Sequence, residues 1–543
     1  MTRMMTWTVC AALAVTASAC GGGSSKEAPA ATATATPPPP APGDSPFKPP
    51  PIVVNSNLPD VKIDGATGSL PLSSAASYGW SAFIALNWPA STAANARGVP
   101  DTTKAFGQPG TPSWITMRSK VEVFPGNASA TVAPHGVVLD PVTRKPVNGP
   151  DYGYGAPQQY YYSTGLLQPC TGQTGVVTPA LIVLDETTEV DTNQTFAGAA
   201  PATDPKGYNT KPQLIRYAVK MSRPIYAYAM AGQYWYSGAR SPLTTAQGNY
   251  VKALSSGTGQ DPATPYVNYA PAPGPNPNLA GIEIKSAWRP LSAAEATSGR
   301  FLTSTVRYYE QPTGTASCYR EAVWGMVGMH VISFAGSAPW VIWTTFEQAD
   351  NILTAAGKPT EDVNGNRIVQ VSSPTTPALS SNPGVLNPTV TATGAYCTNP
   401  GSQLYFRENP KYGTVPSGGN ICVNGRWTAP EPILVNANVE AHTTLAAYLA
   451  SRGLGASPLM YYKLVGAQGV PVDYDSRNAG TFSTATSYLS ANAVIETDYS
   501  LGNFTGRMVK GVPSNVIQSG GQTVPYYNTQ LLPFQAARLG FGK

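Results

Sequence analysis

The sequence has few charged residues. Only 12% of its 543 residues are charged, about half of the roughly 25% that is usual in soluble domains. The 34 Lys and Arg outnumber the 29 Asp and Glu, for a net charge of +5, and they form no long basic run. The concentrated basic face that binds nucleic acid is therefore not expected. Uncharged polar residues and glycine must make up much of the surface, which is typical of an exported, loop-rich protein.

Histidine and the common catalytic signatures are also scarce. The chain has only His135, His330 and His442. It contains no Cys-x-x-Cys pair, no His-Glu-x-x-His, no Gly-x-Ser-x-Gly and no Gly-x-x-x-x-Gly-Lys, the patterns of zinc sites, zinc proteases, α/β-hydrolases and phosphate-binding loops. We therefore predict no metal and no cofactor. His330, on an apolar strand, is interpreted as a core residue, and His442, beside Glu440 on a helix, as half of a solvated pair.

The N-terminus has the plan of a secretory signal. Residues 1–19 carry one positive charge, an apolar run and then Ala-Ser-Ala, which is typical of a signal peptide. Cys20 follows directly and is the predicted lipidation site, because bacterial lipoproteins carry acyl chains such as palmitate on this cysteine. The segment Ala17–Gly21 resembles a bacterial lipoprotein signal, except that Ala17 stands where such signals more often have Leu or Val. Cleavage at the same site by an ordinary signal peptidase, giving a plain secreted protein, is the alternative.

The next segment is predicted to be a tether that joins the lipid on Cys20 to a folded body. Residues 20–57 are rich in Pro, Ala and Gly, a composition that buries too little apolar surface to fold. We expect the folded body at 58–543. No second apolar run approaches the roughly 20 residues that span a bilayer, so the N-terminal lipid would make the membrane contact. With Gly21 after Cys20, the outer membrane is favoured over retention in an inner membrane.

The clearest core sequence is Glu321–Asn351, which predicts a central hairpin. Apolar residues occupy both alternating faces of Ala322–Phe334, as in a strand with neighbours on both faces. After a Gly-Ser-Ala-Pro turn, Trp340–Phe346 returns as a second strand. Strict alternation predicts two faces: Trp324, Met326, His330 and Ile332 on one, and Val323, Val327, Met329 and Val331 on the other. The predicted fold class is α+β and β-rich, with a central antiparallel sheet, a few short helices and long loops.

Periodicity predicts further elements of the folded body. They are a buried helix at Ser77–Trp88 ended by Pro89, an amphipathic helix at Val439–Arg452 ended by Gly453, a strand at Trp114–Phe124, and an element at Pro224–Tyr236 that fits either type. The Asn-Gly pair within Asp362–Val371 indicates a tight turn rather than a calcium loop. The Pro-rich interval 262–278 is either a domain boundary or a long surface loop.

Four cysteines remain in the folded body, namely Cys170, Cys318, Cys397 and Cys422. An even number in an exported protein indicates two disulfide bonds, for which three pairings are possible. The segment between Cys397 and Cys422 has little core of its own, and closing it would stabilise the fold. We therefore favour a Cys397–Cys422 bond, which leaves Cys170 to pair with Cys318.

Two kinds of candidate site remain. The first is a pair of carboxylates, either Glu347 with Asp350 or Glu496 with Asp498, because two acids about 5 to 10 Å apart across a cleft can hydrolyse glycosidic bonds; helix capping and surface hydrogen bonding are the alternative roles. The second is a platform of aromatic rings for sugars or other ligands, with ordinary packing as the alternative. The candidate platform residues are Tyr160, Tyr161, Tyr162, Tyr234, Trp235 and Tyr236.

Three segments resemble an uncharacterised group of exported bacterial proteins: Phe83–Pro89 (FIALNWP), Glu283–Ser292 (EIKSAWRPLS) and Val327–Asn351. The similarity runs from about residue 75 to Thr505. Some members of that group attach haem through a C-terminal Cys-x-x-Cys-His segment. This chain has no cysteine after Ser500 and no histidine after His442, so the resemblance implies neither haem nor electron transfer here and supplies no catalytic residues.

Together these observations predict a lipid-anchored envelope protein without catalytic activity, which binds a glycan, a small molecule or another envelope protein. One alternative is an acid/base hydrolase of glycans. Another is a haem-free relative of c-type cytochromes that serves in a redox assembly.

Overall fold

The fold is given by a computed structural model, which describes several separate ranges of the chain. The described residues are 50–61, 71–124, 129–159, 168–173, 181–184, 213–236, 281–310, 318–333, 342–351, 361–366 and 431–468, with short pieces at 194–197, 359, 368, 406–408, 492, 494–495, 508–509, 512–513, 516–519 and 522–525. All of them belong to one compact unit within 42–543.

Most strands belong to one mixed, nearly barrel-shaped sheet of eight strands. In chain order these are β1 (Arg118–Ser119), β2 (Ile182–Leu184), β5 (Arg216–Met221), β6 (Ile282–Pro290), β7 (Thr303–Glu310), β8 (Cys318–Ser333), β9 (Ile342–Gln348) and β11 (Tyr462–Gln468). The order is β1-β5-β6-β8-β7-β2, with β9 beside β8 and β11 beside β9. Pairs are antiparallel except β2 with β7. The β-rich α+β prediction is confirmed, whereas a purely antiparallel sheet was wrong.

The remaining strands form small separate sheets. They are β3 (Gln194–Ala197), β4 (Gln213–Leu214) and β10 (Phe406–Glu408) in one sheet, with β12 (Met508–Val509), β13 (Val512–Pro513), β14 (Val516–Ser519) and β15 (Gln522–Pro525) in two hairpins. Strands β5 and β6, which come from either side of the interval 262–278, pair directly in the main sheet.

Strand β8 is the centre of this sheet, as the sequence predicts. One edge of its sixteen residues pairs with β6, while the other edge pairs first with β7 and then with β9. The pairing with β6 skips Val327, a bulge that reverses the alternation of side chains. Trp324, Met326 and Met329 therefore share one core, and Val327 packs on the opposite face. The prediction of strict alternation along this strand was wrong for that reason.

Five helices accompany the strands in the described residues: α1 (Leu72–Leu86), α2 (Lys120–Val123), α3 (Arg223–Ala231), α4 (Ala293–Thr297) and α5 (Pro432–Ala450). Helices α1 and α5 confirm the two helix predictions, each starting earlier than expected, and α3 settles the ambiguous segment. The strand predicted at Trp114–Phe124 was wrong. That segment forms a 3-10 turn (Ser113–Thr116), then β1 and α2, because Ser119 and Glu122 form a capping box that starts a helix.

Helix α1 is the centre of the main core between the sheet and α5. Thirteen of its fifteen residues are buried, because it is covered on every side. The Trp80 indole donates to Asn438 Oδ1 of α5 at 2.7 Å, and the Phe83 ring stacks on Phe346 of β9 at 4.1 Å. A Cβ at Gly79 would lie 2.6 Å from Thr344 Cγ2, so only glycine allows this approach to β9. Burial of each large aromatic side chain contributes about 1.5–3 kcal/mol.

The packed body begins before residue 58. The backbone amide of Ile52 donates to Glu440 Oε1 at 3.0 Å, and that of Val53 donates to Ser81 Oγ at 3.0 Å. Ile52 is also a buried member of the main core. Residues 50–57, which the composition placed in the tether, therefore lie against α1 and α5.

The structure also corrects the prediction for His442. Its Nδ1 lies 2.8 Å from Asn364 Oδ1 and its Nε2 2.9 Å from the carbonyl of Tyr462, and the ring is buried. Burial lowers the pKa of His442 to about 4 against smaller opposing contributions from Tyr462 and Asp362. Asn364 belongs to the turn predicted from the Asn-Gly pair, which Asp362 closes by accepting the amides of Asn364 and Asn366.

Candidate functional site

The two members of the predicted carboxylate pair, Glu347 and Asp350, have different surroundings. Glu347 is fully buried on β9, directly opposite Lys463 of β11 in the register. Asp350 lies in the turn after β9 and accepts two hydrogen bonds from Arg300, at 2.7 and 2.6 Å. Asp350 is thus engaged in an ion pair, whereas Glu347 lies in the interior of the sheet. Glu496 and Asp498 lie outside the described residues.

The aromatic platform is likewise not assembled by the part of the chain that the structure describes. Trp235 is only 1% exposed, and its indole donates to the carbonyl of Ser129 at 2.9 Å, so its ring faces are core surfaces. Tyr234 packs on Tyr228 at 5.6 Å between ring centres, and Tyr236 on Trp235 at 6.0 Å. Packing therefore explains Trp235, while Tyr234 and Tyr236 are half-buried beside neighbouring rings. Tyr160, Tyr161 and Tyr162 lie outside the described residues.

The disulfide between Cys170 and Cys318 is present, as predicted. It joins residues 148 positions apart and fastens the segment 168–173 to the beginning of β8. There the Cys170 amide donates to the carbonyl of Tyr319, and the Tyr319 amide donates to the carbonyl of Gln168. Cys20, Cys397 and Cys422 lie outside the described residues. In the described part of the chain, no group of three or more His, Cys, Asp or Glu could hold a metal ion.

A cavity of about 480 Å³ opens at the edge of the sheet, where β7 begins. Its wall comes from four places: the segment 87–115 after α1, Leu181 just before β2, residues 302–305 at the start of β7, and residues 456–459 at the 3-10 turn Pro458–Tyr461. This volume lies within the roughly 300–1,000 Å³ of small-molecule sites. Every lining residue is uncharged, and the polar ones are Asn87, Gln108, Thr111, Thr303, Ser304, Thr305 and Ser457.

Some of these polar groups are already occupied. The Asn87 side chain donates to the carbonyl of Phe83 and accepts from the indole of Trp114. Ser457 Oγ accepts a hydrogen bond from the backbone amide of Leu459. Within the described residues, the hydroxyls of Thr111, Thr303 and Thr305 have no protein partner. Proline and leucine side chains complete the wall. The cavity therefore offers hydroxyl groups that can both donate and accept hydrogen bonds, next to apolar surface. None of its lining side chains is charged.

A cluster of buried charges lies behind one wall of this cavity. Glu122, at the third position of α2, accepts two hydrogen bonds from Arg97, at 3.1 and 2.7 Å, and one from the Ser119 amide at 2.9 Å. Burial alone would raise the pKa of Glu122, but Arg97, and then Arg118 and Lys220, outweigh it and hold the pKa below its usual range. Glu122 is therefore a carboxylate, and its charge is already engaged by Arg97.

Lys220, fully buried on β5, is the unusual member of this cluster. Its amine contacts the carbonyl of Met117 at 3.1 Å, Ser119 Oγ at 2.8 Å and the carbonyl of Leu181. Neutral oxygens, rather than a carboxylate, are thus its direct hydrogen-bond partners. Burial lowers the pKa of Lys220 from 10.5 to about 7, with Glu122 opposing this shift and Arg97 adding to it. A lysine of this kind has a neutral amine in a substantial fraction of molecules at neutral pH.

The sequence reasoning missed both Ser119 and Lys220. A lysine between Val219 and Met221 in an apolar strand was a possible signal, because lysine is almost never fully buried unless it has partners. The Ser-x-x-Glu spacing of Ser119 and Glu122 was another, as the mark of a helix start. The spatial contact between β1 and β5 joins residues about 100 positions apart, and no local pattern reveals it.

Comparison with known proteins adds no relative. No family model, curated protein or solved structure matches this chain. The resemblance to exported bacterial proteins therefore stays a prediction based on the three quoted segments. Separately, none of the helices in the described residues is long and apolar enough to cross a membrane.

Proposed function

We propose that the protein is a lipid-anchored component of the bacterial cell envelope whose folded body binds a neutral, hydroxyl-bearing ligand of the glycan class. The observation that carries this proposal is the cavity of about 480 Å³ with an entirely uncharged lining. Hydroxyl groups both donate and accept hydrogen bonds, so Thr111, Thr303 and Thr305 match the hydroxyls of a sugar. A charged ligand would leave its charge unpaired at this wall, which is costly.

The proposed anchor follows from Cys20 in the Ala-Ser-Ala-Cys-Gly context. Two acyl chains together give stable membrane attachment, whereas a single chain binds only marginally. Glycan hydrolysis by two carboxylates has less support, because Glu347 is fully buried and Asp350 is engaged by Arg300.

Calorimetric titration with neutral disaccharides tests the binding proposal. Wild-type protein is expected to bind at least one member of a panel of gluco-, galacto- and N-acetylglucosamine-containing disaccharides. Ala456→Trp places an indole at the exposed cavity wall and should abolish binding. Thr305→Val keeps the shape but removes a hydroxyl, which should cost about 1 kcal/mol, or roughly fivefold in Kd.

The matched control is Ala294→Trp, which adds the same ring to an exposed position of α4 outside the cavity. It should bind like the wild type. If no disaccharide binds at millimolar concentration, or if Ala456→Trp binds unchanged, the cavity is not the ligand site.

Metabolic labelling tests the anchor. Labelled palmitate should enter the wild-type protein in a bacterial host and should not enter Cys20→Ser. A wild-type protein that stays unlabelled beside a labelled control lipoprotein would refute lipidation and support plain secretion.

A further inference from the structure

The contact between Ser119 and Lys220 has the geometry of a nucleophile beside its base. Ser119 Oγ lies 2.8 Å from Lys220 Nζ, and both residues are at most 1% exposed. The carbonyls of Met117 and Leu181 accept from the same amine. With those two hydrogen bonds made, a neutral amine has its lone pair left to accept the Ser119 hydroxyl proton.

We propose that Ser119 and Lys220 form a serine–lysine pair that cleaves uncharged esters admitted through the neighbouring cavity. Serine–lysine variants of the catalytic triad use lysine as the general base for a serine hydroxyl. Such a base must be unprotonated at the working pH and within hydrogen-bond reach of the proton that it removes. Lys220 meets the second condition through its distance to Ser119, and the lowered pKa of Lys220 meets the first.

The reaction balances without any further reagent than water. Ser119 Oγ attacks the ester carbonyl while its proton passes to Lys220 Nζ. The ester C–O bond then breaks, and Lys220 returns that proton to the departing alcohol, which leaves an acyl group on Ser119. Water, deprotonated by Lys220, attacks this acyl group in turn. The carboxylic acid leaves, and Ser119 recovers its proton from Lys220.

Leu181 connects this pair to the cavity. Its carbonyl contacts the amine of Lys220 and lies 3.5 Å from Ser119 Oγ, while the same residue lines the cavity. Ile115, four residues before Ser119, lines it as well. Leu181 thus contacts both the pair and the cavity, and we expect its displacement to open a path for an ester carbonyl toward Ser119. The uncharged lining selects an uncharged substrate.

The charged groups near Lys220 set the pH range of the pair. Glu122 comes from α2, Arg97 from the loop after α1, and Arg118 from β1; Glu122 favours the ammonium form of Lys220 and Arg97 opposes it. Glu122 and Arg97 hold each other at 2.7 Å, so their charges stay fixed across neutral pH. Reactivity of Ser119 is therefore expected to increase as the pH rises through about 7, the pKa of Lys220.

A small fluorophosphonate, which phosphonylates activated serines, tests the pair in the full-length protein. We expect a stoichiometric adduct at Ser119, located by peptide mass spectrometry, with a labelling rate that rises through pH 7. Lys220→Met should slow labelling by about 100-fold or more, the contribution typical of general-base catalysis. Ser119→Ala should abolish the adduct, and p-nitrophenyl acetate hydrolysis should fall in parallel.

Ser113→Ala is the matched control, because Ser113 is a buried serine in the same segment whose hydroxyl donates to the carbonyl of Leu86 at 2.8 Å. It should label at the wild-type rate. Leu181→Ala, which thins the wall, should accelerate labelling. The adduct on wild-type protein decides the matter even where a variant fails to fold: absence of labelling, or an adduct at another residue, overturns the proposal.

This inference rests on the cavity as an entrance for neutral ligands, but the two proposals fail separately. Disaccharide binding without labelling of Ser119 would leave a binding protein and remove the enzyme. Labelling of Ser119 without disaccharide binding would leave the reactive pair and remove the glycan class.

Discussion

Lys220 and Lys463 are both fully buried, yet their partners are of opposite kinds. Lys463 on β11 forms an ion pair with Glu361 at 2.6 Å and stands opposite Glu347 across the strand pair. Lys220 on β5 instead meets two backbone carbonyls and one hydroxyl, and Glu122 is engaged by Arg97. A buried charge is costly unless it is paired. Lys463 therefore has a carboxylate partner for its charge, whereas the direct hydrogen-bond partners of Lys220 are neutral oxygens.

Removal of the lysine that is paired should have the largest effect. Lys463→Met leaves Glu361 buried without its cation, and breaking such a pair costs about 3–5 kcal/mol. Guanidinium unfolding at pH 7 measures the change in the free energy of unfolding. The double variant Lys463→Met with Glu361→Leu should recover most of this loss, because apolar replacement of both partners is often neutral. A loss below about 1 kcal/mol in the single variant would contradict the assignment.

Removal of the other lysine should cost less. Lys220→Met leaves two carbonyls and the Ser119 hydroxyl without this donor, a penalty of about 1–3 kcal/mol, but Glu122 keeps Arg97. The same unfolding experiment gives the value. A loss equal to that of Lys463→Met would show that the Lys220 ammonium is as necessary as that of Lys463, and the contrast between the two lysines would disappear.

The pH dependence of stability sharpens the contrast further. Lys220 loses its proton near pH 7 in the folded chain and near 10.5 in the unfolded chain, so the unfolded chain binds more protons between these values. The free energy of unfolding therefore increases with pH in this window, by at most about 1.4 kcal/mol per pH unit. This stability is lost as the pH falls from 10.5 toward 7.

Unfolding of wild type and Lys220→Met at pH 7.5, 8.5 and 9.5 isolates this contribution, because the other titrating groups are common to both. The difference in unfolding free energy should shift steadily in favour of the wild type as the pH rises. A difference that stays constant over the three values would mean that Lys220 keeps its proton when folded.

The two lysines also show where sequence reasoning stops. Local patterns predicted α1, α5 and β8 because each depends on residues within one or two turns or a single strand. The bulge at Val327 was not predictable, because it is set by pairing with β6 rather than by the local run. Burial of His442 depends on Asn364, 78 positions away, which made a local interpretation as a solvated pair wrong.

The candidate site was even less accessible to sequence than the fold. The cavity is formed by four segments of the chain that are far apart in sequence, and no local pattern marks any of them as part of a site. Ser119 and Lys220 meet through the short pairing of β1 with β5, in which Ser119 lies opposite Lys220. The disulfide between Cys170 and Cys318 was predictable, since few cysteines leave few pairings.

The disulfide also determines how the chain would behave when it is cut. Cys170 and Cys318 enclose the six strands β2 to β7 in one covalent loop. A single cleavage by a protease anywhere between the two cysteines opens this loop but leaves both fragments joined. The nicked protein would migrate as an unbroken chain without reductant and separate into two fragments with it, so a protease could cut this body once without releasing a piece.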